Sequence, residues 1–128
     1  MRRIRMLIKE ANEQTSERLN DLTTEFLMIV TRWQASVLPT AEQVKMIFQS
    51  EGLTPQEDIL PLQGRPRDHR YPFDEVRMVL SGTLLLNVAG NQVLLRAGDR
   101  VTIPSNTRHS KTAGGQDICV CLVASKVF

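Results

Sequence analysis

His69 and His109 are the only two imidazoles in the chain. Each sits in a stretch rich in groups that can do chemistry. His69 opens HRYPFDEVRMVLSG, in which Tyr71 and Glu75 follow before Gly82. His109 closes GDRVTIPSNTRH, which starts at Gly98 and contains Pro104. His and Glu bind first-row transition metals through nitrogen and oxygen. The same residues also have ordinary uses. His69 could be a polar residue at the edge of a fold, His109 could bond a neighbouring backbone group, and Glu75 could pair with Arg70 or Arg77.

Other constellations are weaker. Ser105 and Ser110 lie near His109, but no Gly-x-Ser-x-Gly elbow surrounds either, which argues against a hydrolase triad. No glycine-rich loop carries a phosphate-binding Lys. Asp99 follows Gly98 and reads as a turn residue. Cys119 and Cys121 are the only cysteines, and on a strand their spacing puts both thiols on one face. That is poor disulfide geometry, so they read as small buried hydrophobes. Arg67, Arg70 and Arg108 flank the two histidine segments; such residues are usually solvated charges, but at the mouth of a barrel they could attract a carboxylate-bearing substrate.

The elements that must position these groups divide near residue 55. Before it the pattern is helical. Leu19, Leu22, Phe26, Ile29, Val30 and Trp33 recur at spacings of three and four, which predicts a helix over Ser16 to Trp33. Ile4 to Asn12 either continues it or frays. A second helix starts at Thr40, where Gln43 completes a capping box. Val44, Ile47 and Phe48 give its apolar face, and Gly52 its stop. Beyond residue 55, short strands alternate with turn residues: Ile59 to Leu62, Val76 to Leu80, Thr83 to Val88, Val93 to Leu95, Arg100 to Ile103 and Ile118 to Ala124. Turns are expected at Ala89-Gly90-Asn91, Ala97-Gly98-Asp99 and Ser105-Asn106-Thr107. Six or seven short strands of this kind predict a closed barrel or a sandwich.

Composition bounds the rest. The 128 residues suffice for one core, and 41% apolar and 23% charged residues are ordinary for a globular chain. The formal net charge is +2, and the only local excess of cations is Arg2, Arg3, Arg5 and Lys9, expected at a solvated or frayed end. Nucleic acid is therefore not an expected partner. A helix-turn-helix reading fails as well, because Thr40 to Ser50 holds one Lys and no Arg. No apolar run reaches a membrane span, and Met6–Ile8 is too short for the apolar core of a secretory signal, so the expected location is cytoplasmic.

The two histidine segments, with the strands around them, resemble the two motifs of the cupin superfamily. The first motif runs Gly, His-x-His, Glu, Gly. Here His69, Glu75 and Gly82 match, Gly64 stands one position from the opening glycine, and Tyr71 replaces the second His. The second runs Gly, Pro-x-Gly, His, Asn. Here Gly98, Pro104 and His109 match, Asn106 replaces the internal Gly, and Ala113 the terminal Asn. The resemblance covers about residues 56–126. It implies a mainly β fold, the double-stranded β-helix or jelly-roll barrel, over residues 56–128, with residues 1–55 as an N-terminal α-helical extension. It also implies a divalent transition metal (iron, manganese, nickel or zinc) held by His69, Glu75 and His109. Tyr71 would then be an acid–base or hydrogen-bonding group beside a small-molecule ligand, a phenolate ligand, or a filler of the volume of the missing imidazole. Dioxygenase or isomerase chemistry and a homodimer are typical of the family. The alternative is a small-molecule-binding or sensor barrel with no metal and no catalysis.

Overall fold

A computed structural model describes residues 2–7, 27–62, 66–88 and 90–127. Two antiparallel sheets face one another across an apolar interior. Strands β1 (Arg2–Leu7), β2 (Leu27–Arg32), β3 (Gln56–Leu60), β4 (Asp74–Ser81), β7 (Arg100–Ile103) and β9 (Cys119–Lys126) form the larger sheet, in the order β1-β2-β7-β4-β9-β3. Strands β5 (Thr83–Val88), β6 (Asn91–Arg96) and β8 (His109–Ala113) form the smaller, in the order β6-β5-β8. Helix α1 (Ala41–Ser50) lies between β2 and β3 in the chain.

Strand alternation explains how the layers pack. Leu84, Leu86 and Val88 on β5 and Val93 and Leu95 on β6 meet Val101, Ile103, Val79, Cys119 and Cys121 from the larger sheet. The opposite face of β4 and β9 is also covered. There Val76, Met78, Leu122 and Ala124 pack against Val44 and Phe48 of α1. β4 is thus buried on both faces, and Glu75, Arg77 and Val79 take its interior side by alternation. The two cysteines are buried, with their sulfurs 3.6 Å apart, as part of the interior cluster.

The helix at Thr40 forms as expected. The Thr40 hydroxyl accepts from the Gln43 amide at 3.1 Å, the Gln43 side chain accepts from the Thr40 amide at 2.9 Å, and Gly52 follows with φ +77°. The helix predicted over Ser16 to Trp33 needs correcting. Leu27–Arg32 is β2, paired with β7 through Val30 and Val101. Ile29, Val30 and Thr31 are β-branched and favour an extended chain, and Met28 and Val30 are both fully buried, a period of two rather than 3.6. Trp33 follows β2 in irregular chain, and residues 16–26 of that predicted helix lie outside the described residues. Arg2–Leu7 likewise pairs with β2 instead of continuing a helix or fraying. The other strands fall where the sequence puts them, within a few residues, and β8 is an addition.

Among the described residues no helix is long and apolar enough to cross a membrane.

Candidate functional site

The segment leading into β4 is laced to the turn before β8. The His69 amide donates to the His109 carbonyl at 2.7 Å, and the His109 amide donates back to the His69 carbonyl at 3.0 Å. The Asn106 amide donates to the Tyr71 carbonyl at 2.6 Å, and the Ser105 amide to the Asp74 carboxylate at 2.8 Å. Asn106 has φ +58°, the left-handed conformation that Asn tolerates where the motif carries Gly. These bonds bring the two sequence motifs together. The rings follow: His69 and Tyr71 stack with centroids 5.9 Å apart, Tyr71 and Phe73 stack at 5.0 Å, and His109 lies 5.5 Å from Tyr71 and 6.5 Å from His69.

His109 is 1% exposed. Its Nδ1 lies 2.9 Å from the Thr107 carbonyl, and a carbonyl only accepts, so Nδ1 carries the proton and Nε2 presents its lone pair. That Nε2 is buried without a hydrogen-bond partner. Burial, with a smaller push from Lys111, holds the imidazole below its ordinary pKa and keeps it neutral.

Glu75 is 4% exposed and its carboxylate is fully engaged. Lys111 Nζ lies 2.9 Å from Oε1 and 3.1 Å from Oε2, and Arg77 Nε lies 3.1 Å from Oε2. Arg77 also bonds Asp58 at 2.8 Å. Burial alone would raise the Glu75 carboxyl; Arg77 and then Lys111 more than offset it and hold the group below its ordinary value. Lys111 is itself lowered, mainly by burial and then by Arg77. Its Nζ stands 5.3 Å from the centre of the Tyr71 ring. The Tyr71 hydroxyl is pushed up by burial and next by Glu75, which keeps it a hydrogen-bond donor.

A cleft of about 340 Å³ opens at this end of the barrel. Arg67, His69, Tyr71 and Lys111 line it, with Leu60 and Pro61 as an apolar wall, and the Asp58 carboxylate, paired with Arg77, also reaches it. Of the other arginines near the motifs, Arg108 is paired with Asp68 at 2.8 Å and Arg70 is exposed. Gly64 lies outside the described residues. Asp99 is a structural tie: its carboxylate accepts from the Trp33 and Arg96 amides and pairs with Arg32.

The donors expected to hold a metal do not fit one as they stand. Among the described residues no three His, Cys, Asp or Glu side chains gather into a metal site. Glu75 faces two cations instead, and a divalent ion on the same carboxylate would meet both. Two unit charges 4 Å apart repel by about 4 kcal/mol at an effective dielectric of about 20, and a divalent ion by more. Lys111 is the residue that sequence reading missed. Its signal was present: it lies two residues after His109 on one strand, hence on the same face.

The sequence matches the Cupin domain family over residues 56–125. The chain is a cupin. No curated protein matches it. Among solved structures, this cupin is similar to the acireductone dioxygenase from Bacillus anthracis with a cadmium ion in its active centre. Identity is 20%, the TM-score 0.59, and the match covers 100% of this chain and 94% of that one. It is also similar to a predicted oxalate decarboxylase from Thermotoga maritima, at 17% identity and TM-score 0.53, over 80% of this chain and 82% of that one. A third likeness is to FeII HppE in complex with substrate, at 16% identity and TM-score 0.52, over 59% of this chain and 46% of that one. This chain therefore spans less than half the length of FeII HppE. At these identities the likenesses show the fold.

Proposed function

We propose that this cupin binds a small organic molecule carrying an acidic group in the cleft between Arg67, His69, Tyr71 and Lys111, without a metal. The observation that carries the reading is the ammonium of Lys111, which lines the cleft while held on Glu75. An ammonium has three donors, so one is free to meet a carboxylate. Arg67 adds a second cation, and the Tyr71 hydroxyl, kept protonated, donates a further hydrogen bond. Titration with small mono- and dicarboxylates, followed by calorimetry, tests this. Saturable binding that weakens about tenfold in Arg67→Ala is the expected result, equivalent to about 1.4 kcal/mol. Failure of every carboxylate to bind removes the reading.

A second reading is favoured by the unpartnered Nε2 of His109. In it, iron, manganese, nickel or zinc is held by His69, Glu75 and His109 once Glu75 has released Lys111, with Tyr71 as the acid–base group of a dioxygenase or isomerase. Elemental mass spectrometry on protein purified without an affinity tag separates the two. Near-stoichiometric metal favours this second reading; its absence after incubation with each ion favours the first. In either reading the homodimer typical of cupins would cover exposed Val37, Leu38 and Met46, and sedimentation analysis checks it.

A further inference from the structure

The linked charges at the heart of the site balance: three of them are buried, and Asp58, at 38% side-chain exposure, is only partly so. Asp58 and Glu75 supply two negative charges, and Arg77 and Lys111 two positive ones, joined by contacts of 2.8 to 3.1 Å. Lys111 and Arg77 side chains are 8% and 2% exposed, so these cations cannot shed their charge effects into solvent. His109 and Tyr71 are neutral neighbours. A divalent ion added to this group would leave a net charge of two on side chains that are, apart from Asp58, largely out of water. The carboxylate it needs would have to exchange one held cation for another. Lys111 also has the right placement. It stands on the strand and face of His109, spans from β8 to β4, and lies over the ring of Tyr71.

We propose that the ammonium of Lys111 is a built-in substitute for a divalent metal: it occupies Glu75, supplies positive charge beside His109, and excludes metal ions from His69 and His109. The inference rests on the metal-free reading above and adds its cause. Neutralising Lys111 should therefore create a metal site that the natural chain lacks.

The experiment is calorimetric titration of zinc and manganese into four proteins: the natural chain, Lys111→Gln, Lys111→Arg, and Lys111→Gln combined with His109→Ala. In Lys111→Gln the remaining pair with Arg77 still holds Glu75; Lys111→Leu replaces this variant if it does not fold. The natural chain and Lys111→Arg should show no saturable site. Lys111→Gln should take up one equivalent, at least about tenfold tighter than the natural chain, and lose it again with His109→Ala. Metal bound by the natural chain overturns both this inference and the metal-free reading. Metal bound by neither the natural chain nor the neutral variants overturns this inference alone, as does uptake by Lys111→Arg equal to that by Lys111→Gln.

Discussion

Glu75 and His109 sit in the same interior but answer to acid at different points. Both have folded-state pKa values below their ordinary ones, so both contribute stability that is present above the unfolded value and lost as pH falls through the folded value. His109 begins to bind protons in the unfolded chain below about pH 6.5, Glu75 below about 4.5. The melting temperature should therefore fall in two stages on acidification from pH 7. His109→Gln should flatten the upper stage and leave the lower; an unchanged profile would show that His109 does not titrate with folding. The sequence made His69, Tyr71, Glu75 and His109 legible as a group, because the motif spacings tie each to a turn. It also offered Arg77 as a partner for Glu75, and the pair is formed. Lys111 was hidden because a lysine in HSKTA reads as a surface residue, and only its ion pair makes burial tolerable.

At the level of elements, the cap of α1 and the turn after β4 each rest on one residue. Thr40→Ala removes the hydroxyl that satisfies the Gln43 amide, and should cost about 1 kcal/mol in a denaturant titration. Gly82 has φ +74°, and a Cβ there would collide with the Ile118 carbonyl. Gly82→Ala should cost more than the cap, roughly 2–4 kcal/mol, through strain and displaced backbone. A loss no greater than that of Thr40→Ala would mean that the turn relaxes. The strands of residues 56–126 were legible because alternating apolar residues were punctuated by turns. β2 was not, because Ile29, Val30 and Trp33 also satisfy a helical spacing, and only pairing with β7 decides between them. β8 escaped notice because its sequence, HSKTA, has little apolar content to alternate.

Across the whole molecule, the chain of Asp58, Arg77, Glu75 and Lys111 joins β3 and β4 of one sheet to β8 of the other. Removing its centre leaves two carboxylates facing one lysine. Arg77→Leu should destabilise the protein by about 3–5 kcal/mol, the usual cost of breaking a buried ion pair on one side, read by urea unfolding at pH 7. A loss near zero would show that water reaches Glu75. The reciprocal amide bonds between His69 and His109 have a further consequence. Each residue is at once donor and acceptor for the other, so the two bonds are expected to open in one event. The barrel mouth is thus latched by a single two-pronged clasp. Hydrogen exchange should show one shared protection factor for the His69 and His109 amides, and the same event should uncover the buried imidazole of His109.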